Sequence, residues 1–198
     1  MGQYYKTGFI DKEGNLFVLN PFHYGNGCKL LEHAYYDHDY MNIVTRILYN
    51  NPMRVCWMGD YAYQFDGSLY EQKEDLSFVE SIFNKMWRED DGDSVSGIRP
   101  SEENEKIQFG LMQRWPRYLV NYTLKRFVDL DALDSTIDDY GEALHPLCLL
   151  TACGNGRGGG DYYGNDSRKV GSWAFDLIAF LDEVPEEFTE EICKFYMD

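Results

Sequence analysis

The stretch QYYKTGFIDKEGNLFVL, residues 3–19, predicts a β-hairpin at the start of the fold. Residues 3–10 are rich in aromatic and β-branched side chains, residues 11–15 form a polar turn that contains a glycine, and residues 16–19 are apolar again. Two such runs around a short glycine-containing turn are typical of antiparallel strands. Pro21 then ends the hairpin.

Beyond the hairpin, helical and strand patterns follow one another without a regular strand–helix–strand rhythm. Apolar residues at three- and four-residue spacing predict helices, and short β-branched or aromatic runs predict strands. The predicted elements are a helix over 40–49 capped by Asp39, a strand over 53–58, a helix that starts near Asp75, strands over 118–121 and 126–130, an apolar segment over 146–152, a buried strand over 173–181 and a short acidic helix over 185–197. This mixture predicts a single α+β domain over 1–198, with a mixed or antiparallel sheet and a few packed helices.

The chain is strongly acidic. Its 18 basic and 34 acidic residues give a formal net charge of −16. A field of this sign repels nucleic-acid phosphates and speeds encounter with basic protein surfaces. The charge is typical of a soluble protein, and it also suits a decoy that occupies a nucleic-acid-binding groove.

Two acidic segments, 71–105 and 183–191, are the candidate partner surface. Within the first, residues 89–105 lose all apolar periodicity and contain Gly and Pro, so we expect a mobile loop there. The candidate partner-binding residues are Glu89, Asp90, Asp91, Asp93, Glu102 and Glu103.

Five cysteines without a CxxC pair indicate reduced thiols. The longest apolar runs fall short of the ~20 residues that a membrane helix needs, and no secretory signal pattern opens the chain. We therefore expect a cytoplasmic protein that binds no membrane.

The glycine-rich stretch GNGRGGGD, residues 154–161, is the strongest candidate for a ligand site. Its backbone amides can approach a ligand closely because few side chains intervene. Arg157 could hold a phosphate or carboxylate and Asp161 a hydrogen-bond donor; the alternative is a tight loop joined by an Arg–Asp pair. No helix is predicted after it, so the G-x-G-x-x-G match is weak. The candidate ligand-binding residues are Gly154, Gly156, Arg157, Gly158, Gly159, Gly160, Asp161, Tyr162, Trp57 and Trp173.

Tyrosines cluster beside the polar and glycine-rich loops, among them Tyr4, Tyr5, Tyr61, Tyr162 and Tyr163. Tyrosine supplies contact area and a hydroxyl at low entropy cost. We expect some of these rings in the core and others on a recognition surface near the glycine-rich loop.

A catalytic interpretation would use His23 or His145 as general base beside Asp60, Asp161 or Asp176. Asp60 and Asp176 each end a W-x-x-D tetrapeptide on a predicted strand, so they could be paired carboxylates. The alternative is two strand-end residues that bind turn amides. Whether the protein is an enzyme stays open.

Metal binding has weak support. His33 and His38 lie among acidic residues, but no HExxH motif or repeated acid ladder accompanies them. We expect a solvated polar stretch there and no metal site, and no pattern identifies a cofactor.

Several segments resemble a family of short, largely uncharacterised proteins of phages, prophages, bacteria and some fungi. The resembling segments are MGQYYK (1–6), NPFHYGNGCKLLEH (20–33), VCWMGDY (55–61), YLVNYT (118–123), the run from His145 to Tyr162 that contains GNGRGGGDY, and VGSWA (170–174). They cover about half of the chain in the expected order. Phe175 departs from a glycine of that family, and Tyr122 departs from a histidine.

The resemblance implies a phage- or prophage-derived accessory protein that binds and inhibits a host defence factor, such as a CRISPR nuclease. Its acidic surface would compete with nucleic acid for a basic groove. One alternative is a protein that binds a nucleotide-like anion at the glycine-rich loop, and another is a metal-assisted hydrolase acting on nucleotides or RNA.

Overall fold

The computed structural model describes residues 2–36, 38–62, 69–72, 116–133, 144–155, 161–193 and 195. Their helices and strands, in chain order, are β1 (Tyr5–Ile10), β2 (Leu16–Leu19), α1 (Asp39–Leu48), β3 (Met53–Gly59), β4 (Tyr118–Asn121), β5 (Arg126–Asp129), α2 (Pro146–Leu150), β6 (Ala152–Cys153), β7 (Leu177–Leu181) and β8 (Thr189–Glu190). The helix predicted near Asp75, the acidic loop over 89–105 and Gly156 to Gly160 lie outside the described residues.

The strands form one mixed sheet, which confirms the predicted α+β class. The strand order is β2-β1-β3-β7-β4-β5-β8, and β6 pairs with β3 beside that path. The β3–β6 and β5–β8 pairs are parallel, and the other pairs are antiparallel. The predicted hairpin is β1 and β2, joined in register from Thr7 and Leu19 to Ile10 and Leu16.

Strand β3 changes partner halfway along one edge. Met53 and Arg54 pair with β7, whereas Trp57 and Met58 pair with β6. Between the two, the backbone of Val55 bonds with residues 175 and 176. The described part of the sheet therefore forks around residues 170–176, and the two ends of β3 have different surroundings.

Helix α1 covers one face of the sheet. Its apolar residues recur at helical spacing and are buried, so the helix predicted over 40–49 is confirmed to within one residue. Tyr40 at its start lies with its hydroxyl 2.5 Å from Thr7 Oγ1 and donates to the carbonyl of Leu19. The helix is thus tied to the first hairpin by buried hydrogen bonds.

Two sequence predictions about the last part of the chain are wrong. The strand predicted over 173–181 begins only at Leu177, because Gly171 and Phe175 adopt positive φ angles and the chain turns through 170–176. Where an acidic helix is predicted over 185–197, the described residues 185–193 instead form a turn followed by β8. There, the Thr189 N–H donates to the carbonyl of Lys125, directly before β5, with which β8 pairs.

Among the described residues, no helix has the length and apolar character needed to cross a membrane.

Candidate ligand site at the carboxyl ends of β3 and β6

The parallel strands β3 and β6 end side by side, at Gly59 and Cys153. Asp60 and Gly154 follow directly, and the carboxyl ends of parallel strands are common places for a ligand site. We call this place the β3–β6 edge. It consists of Gln3, Tyr5, Gly59, Asp60, Gly154, Asn155 and Asp161.

Two glycines make room for one side chain at this edge. A Cβ at Gly59 would collide with the amide of Gln3, and a Cβ at Gly154 would collide with the Tyr5 hydroxyl and lie 2.7 Å from Gln3 Oε1. Gln3 therefore lies across both glycines in a slot that a larger residue would close. Glycine is therefore favoured at both positions because Gln3 occupies the space of a Cβ, and not because of glycine's backbone freedom.

The Gln3 amide is buried and its orientation is set by its neighbours. Its Oε1 accepts from the backbone N–H of Asn155 at 3.2 Å and lies 3.1 Å from the Tyr5 hydroxyl. Since the Asn155 N–H can only donate, the amide oxygen lies at this end and Nε2 points elsewhere. Nε2 finds no hydrogen-bond acceptor among the described residues, which is unusual for a buried donor.

The Tyr5 hydroxyl connects Gln3 to a buried carboxylate. It lies 3.0 Å from Asp161 Oδ1, and Asp161 is 5% exposed. One hydroxyl proton thus faces two oxygen acceptors. Burial raises the pKa of Tyr5, with smaller contributions from the charges of Asp161 and Asp60. The phenol consequently stays neutral and remains a donor.

Asp60 and three exposed tyrosines flank these buried groups. Asp60 Oδ1 accepts from the backbone N–H of Tyr4 at 3.1 Å, and Asp60 N–H donates back to the Tyr4 carbonyl at 2.9 Å. Tyr4, Tyr61 and Tyr163 are 47%, 46% and 61% exposed. Each is within two residues of Asp60, Gln3 or Asp161 along the chain, or bonded to one of them.

The paired-carboxylate hypothesis for Asp60 and Asp176 is wrong. Asp176 bonds through its carbonyl to Val55 N–H, whereas Asp60 follows the last residue of β3. Five residues of strand separate these points, roughly 16 Å, which exceeds the 5–9.5 Å or so of paired catalytic carboxylates. Each carboxylate instead accepts a hydrogen bond from a distant part of the chain: Asp60 from the Tyr4 backbone N–H, and Asp176 from Asn121 Nδ2 at 2.9 Å. Neither donor is the turn amide that the alternative interpretation expects.

The two histidines proposed as general bases lie in different surroundings. His23 is exposed in a 3-10 turn, edge-to-face with Phe22. His145 is buried at the start of α2, where its Nδ1 accepts from Leu147 N–H at 3.1 Å. Burial lowers the pKa of His145 to about 3. His145 is therefore a neutral capping residue of α2.

The two tryptophans proposed as ligand-binding residues lie in the core. Trp57 is fully buried and donates from Nε1 to His33 Nε2 at 2.7 Å. Trp173 is 1% exposed and lies in the turn before β7, so the W-x-x-D echo corresponds to a strand in one copy and a turn in the other. Both indoles pack inside the protein, which leaves no surface for a ligand.

His33 is also buried, which corrects the predicted solvated stretch. Because Nε2 accepts from Trp57, the proton is on Nδ1, which donates to the Gly27 carbonyl at 2.8 Å. Burial lowers the pKa of His33 to about 4. No group of three or more metal-ligating side chains occurs in the part of the chain that the structure describes.

Of the glycine-rich loop, the described residues are its two ends. Gly154 and Asp161 lie at the β3–β6 edge, and Tyr162 is buried with its hydroxyl donating to the Asn165 carbonyl at 2.6 Å. The predicted contacts of Arg157 lie outside the described residues, as do those of the acidic residues between Glu89 and Glu103.

Sequence reasoning missed Gln3 and Asn155 as members of the edge, and it named Tyr5 only among the tyrosines expected in the core or near the glycine-rich loop. The available signal was weak: a glutamine directly before a strand of aromatic residues, and a Gly-Asp pair directly after another strand. Tyr5 and Asp161 are 156 positions apart in the chain, so no local pattern could join them.

No family model, curated protein or solved structure matches this chain. What the edge can do is therefore inferred from its own residues.

Proposed function

We propose that the protein binds a small polar ligand at the β3–β6 edge, with Gln3, Tyr5 and Asp161 as the contact residues. The observation that carries this proposal is the Gln3 amide. Its Nε2 is a buried donor with no acceptor among the described residues, and the Tyr5 hydroxyl lies between its Oε1 and the buried carboxylate of Asp161. Leaving a buried donor unsatisfied costs about 1–3 kcal/mol, and an acceptor on a ligand would recover this energy.

The chemistry of the edge supports a ligand that carries hydrogen-bond donors as well as acceptors. Asp161 and Asp60 offer carboxylate oxygens, whereas Gln3 offers an N–H. From the sequence, we also expect the ligand to carry an anionic group, held by Arg157 and the backbone amides of the glycine-rich stretch. A nucleotide-like molecule combines these features.

The experiment compares ligand retention in the native protein and in Asp161→Asn. The protein is purified without denaturation and analysed by native mass spectrometry, and then titrated with nucleosides, nucleotides and inorganic phosphate by calorimetry. We expect a bound small molecule or a titratable Kd in the native protein and a loss of at least tenfold in the variant, because a charged hydrogen bond contributes about 1.5–3 kcal/mol.

The matched control is Glu190→Gln, which removes one negative charge at an exposed position of β8. It should bind as the native protein does. Equal weakening in both variants would mean that net charge, not the β3–β6 edge, governs binding. The absence of any bound or titratable small molecule would refute the proposal.

A second candidate function is the inhibition of a host defence protein by a phage-derived acidic surface. In the described residues, Glu183, Glu186 and Glu190 are exposed acids outside every ion pair found there. Neighbouring acids of the same segment are neutralised, as in the Lys125–Glu187 pair at 2.7 Å. The segment 183–191 therefore presents less unneutralised negative charge than its sequence predicts.

The inhibitor hypothesis is tested by affinity purification from a defence-carrying bacterial host. A stoichiometric basic protein that dissociates at high salt would support it. Triple replacement of the three exposed glutamates by glutamine should then weaken capture. Capture that is indifferent to salt and to this replacement would count against the hypothesis.

A further inference from the structure

We propose that Cys56 and Cys153 form a binding site for one Cu(I) ion, held between their two sulfur atoms. Both residues are free thiols and both are buried, at 2% and 3% exposure. They lie on the face of the sheet opposite to that of Tyr5 and Trp57, because side chains alternate along a strand. This site therefore stands independently of the ligand proposed at the β3–β6 edge.

The register of the sheet brings the two thiols together. Cys56 and Met58 are two residues apart on β3, so their side chains share one face. Cys153 on β6 pairs with Met58, which places it on that same face. The Cys56 S–H donates a hydrogen bond to Cys153 Sγ, and this bond lowers the pKa of Cys153, whereas burial raises the pKa of Cys56. The two sulfur atoms are thus neighbours before any ion enters.

The offset between the two cysteines favours a bridging metal over a disulfide. Cys153 stands opposite Met58 and not opposite Cys56, so the spacing and rise of the strands separate the two Cα atoms by about 8 Å. A disulfide needs Cα atoms within about 7 Å of each other. A metal ion spans a wider gap, because it adds two metal–thiolate bonds of about 2.3 Å each between the sulfur atoms.

The side chains around the two thiols are apolar. The two cysteines, Val18 and Met58 form a small buried cluster of their own, covered by partly buried apolar and aromatic side chains. The thioether of Met58 lies over Gly8, where its Sδ is 3.1 Å from the position of a Cβ, and Gly8 is the strand partner of Cys56. The absence of a side chain at Gly8 therefore makes room for a further soft sulfur atom beside the pair.

Such surroundings select a soft ion. Thiolates and thioethers favour Cu(I), whereas carboxylates, carbonyls and water favour Mg²⁺, Ca²⁺ and Mn²⁺. A structural Zn²⁺ site needs four ligands, and the described residues contain no group of three His, Cys, Asp or Glu side chains that could supply most of them. Two thiolates suffice for Cu(I), which is stable with two soft ligands.

A cation at the margin of the cluster offsets the charge of the complex. Two thiolates and Cu(I) together carry a single negative charge, which is costly among apolar side chains. Lys6 pairs with Met58 and therefore lies on the same face. Its Nζ donates to the Tyr70 carbonyl at 2.9 Å and lies 4.4 Å from the centre of the Tyr70 ring, and Tyr70 packs against the cluster. Binding forms two Cu–S bonds and releases two thiol protons to the solvent, with no transfer of electrons.

The test is a Cu(I) titration of the full chain, reduced and kept free of oxygen, in competition with the chelator bicinchoninate. We expect the native protein to take one Cu(I) per chain from the coloured chelate. Cys56→Ser and Cys153→Ser should each bind at least tenfold more weakly, because a hydroxyl is a harder ligand than a thiolate. The matched control is Cys148→Ser, which removes a fully buried thiol outside the cluster and should bind as the native protein does.

Urea unfolding with and without one equivalent of Cu(I) is the second measurement, and it uses Cys56→Ala if the serine variants fail to fold. Cu(I) should raise the midpoint of the native protein and of Cys148→Ser, but not that of Cys56→Ala. Release of all copper to the chelator, equal retention in every variant, or preferential uptake of Zn²⁺ would overturn the proposal. A disulfide between Cys56 and Cys153 in air-exposed protein would also overturn it, because the two residues would then lie closer than a metal bridge requires.

Discussion

The two ends of β3 differ in how completely their polar groups are paired. At the amino end, Arg54 donates to the Phe175 carbonyl, and Asp176 is held by Asn121 and Val55. At the carboxyl end, a slot between two glycines holds Gln3, whose Nε2 has no acceptor among the described residues. The polar groups described at the first end are paired within the protein, whereas the second end keeps a buried donor that the proposed ligand would engage.

The difference arises from the partner of each half. Antiparallel β7 and the preceding turn close the amino end with local contacts. Parallel β6 instead brings a second strand terminus beside the first, so loops and side chains from distant parts of the chain meet there. A strand that changes partner can therefore contribute to the core at one end and to a site at the other.

The substitution that should disturb the two partner contacts of β3 most is Gly171→Ala, in the turn that separates β6 from β7. Gly171 has a φ of +76°, and a Cβ there would collide with the Ala152 carbonyl oxygen. Because this oxygen belongs to the backbone, relieving the clash would require the backbone to shift. We expect a loss of roughly 3 kcal/mol or more in the free energy of unfolding, measured by urea denaturation.

Gly14→Ala is the matched control for Gly171→Ala. Gly14 has a similar φ of +86° but open space around its Cβ position, so only the backbone strain of about 1 kcal/mol should appear. Equal losses in the two variants would show that the contact with Ala152 contributes nothing.

Acidification should weaken the carboxyl half of β3 first. His33 bonds to Trp57, and His145 caps the helix that leads into β6. Burial lowers their pKa values to about 4 and about 3, below the usual ~6.5 of the unfolded chain. The unfolded state therefore binds more protons as the pH falls below about 6.5, and stability decreases by about 1.4 kcal/mol per pH unit for each histidine, down to its folded pKa.

Two measurements check this acid effect. His145→Asn keeps a capping side chain and should remove one histidine's share of the slope of unfolding free energy against pH, with exposed His23→Asn as the control. Hydrogen exchange at about pH 5 should show earlier opening at Trp57 N–H than at Val55 N–H. An unchanged slope in His145→Asn would contradict the assigned role of this histidine.

The sequence predicts the elements whose periodicity is long enough to read. The first hairpin and α1 carry clear strand and helix patterns, and both are confirmed. β6 and β8 have two residues each, which is too short for a periodicity to appear in the sequence. These strands form because their backbones bond to the edge of a neighbouring strand. Residues 173–176 are predicted as part of a strand because three of them are apolar, but the positive φ angles of Gly171 and Phe175 turn the chain.

The candidate site was predictable only in part. The glycine-rich stretch and Asp161 attract attention by composition, and Asp161 does lie at the β3–β6 edge. Periodicity shows which face of a strand is buried but not which distant segment packs on it. Only the pairing register of the sheet brings Gln3 and Tyr5 to the β3–β6 edge, and a sequence pattern does not show this register. The same register places Trp57 in the core.

At the amino end of β3, Asn121→Ala should cost stability without affecting the ligand. Asn121 is fully buried; its Nδ2 donates to Asp176 and its Oδ1 accepts from Leu124 N–H at 2.9 Å. Losing both bonds should lower the free energy of unfolding by about 2 kcal/mol. The Kd of any ligand of the β3–β6 edge should stay the same under conditions where the variant is folded. A weakened Kd would mean that the two ends are coupled.

At the carboxyl end, Tyr5→Phe should have the opposite profile. The ring remains buried and only the hydroxyl that joins Gln3 to Asp161 is removed, so the free energy of unfolding should fall by about 1 kcal/mol or less. Ligand affinity should fall more than stability, because the carboxylate and the amide are no longer held at a fixed spacing. Tyr49→Phe, which loses a hydroxyl bonded to Asp182 just after β7, is the control. If both variants leave the Kd unchanged, the Tyr5 hydroxyl has no part in positioning the site, and the contrast between the two ends is one of packing alone.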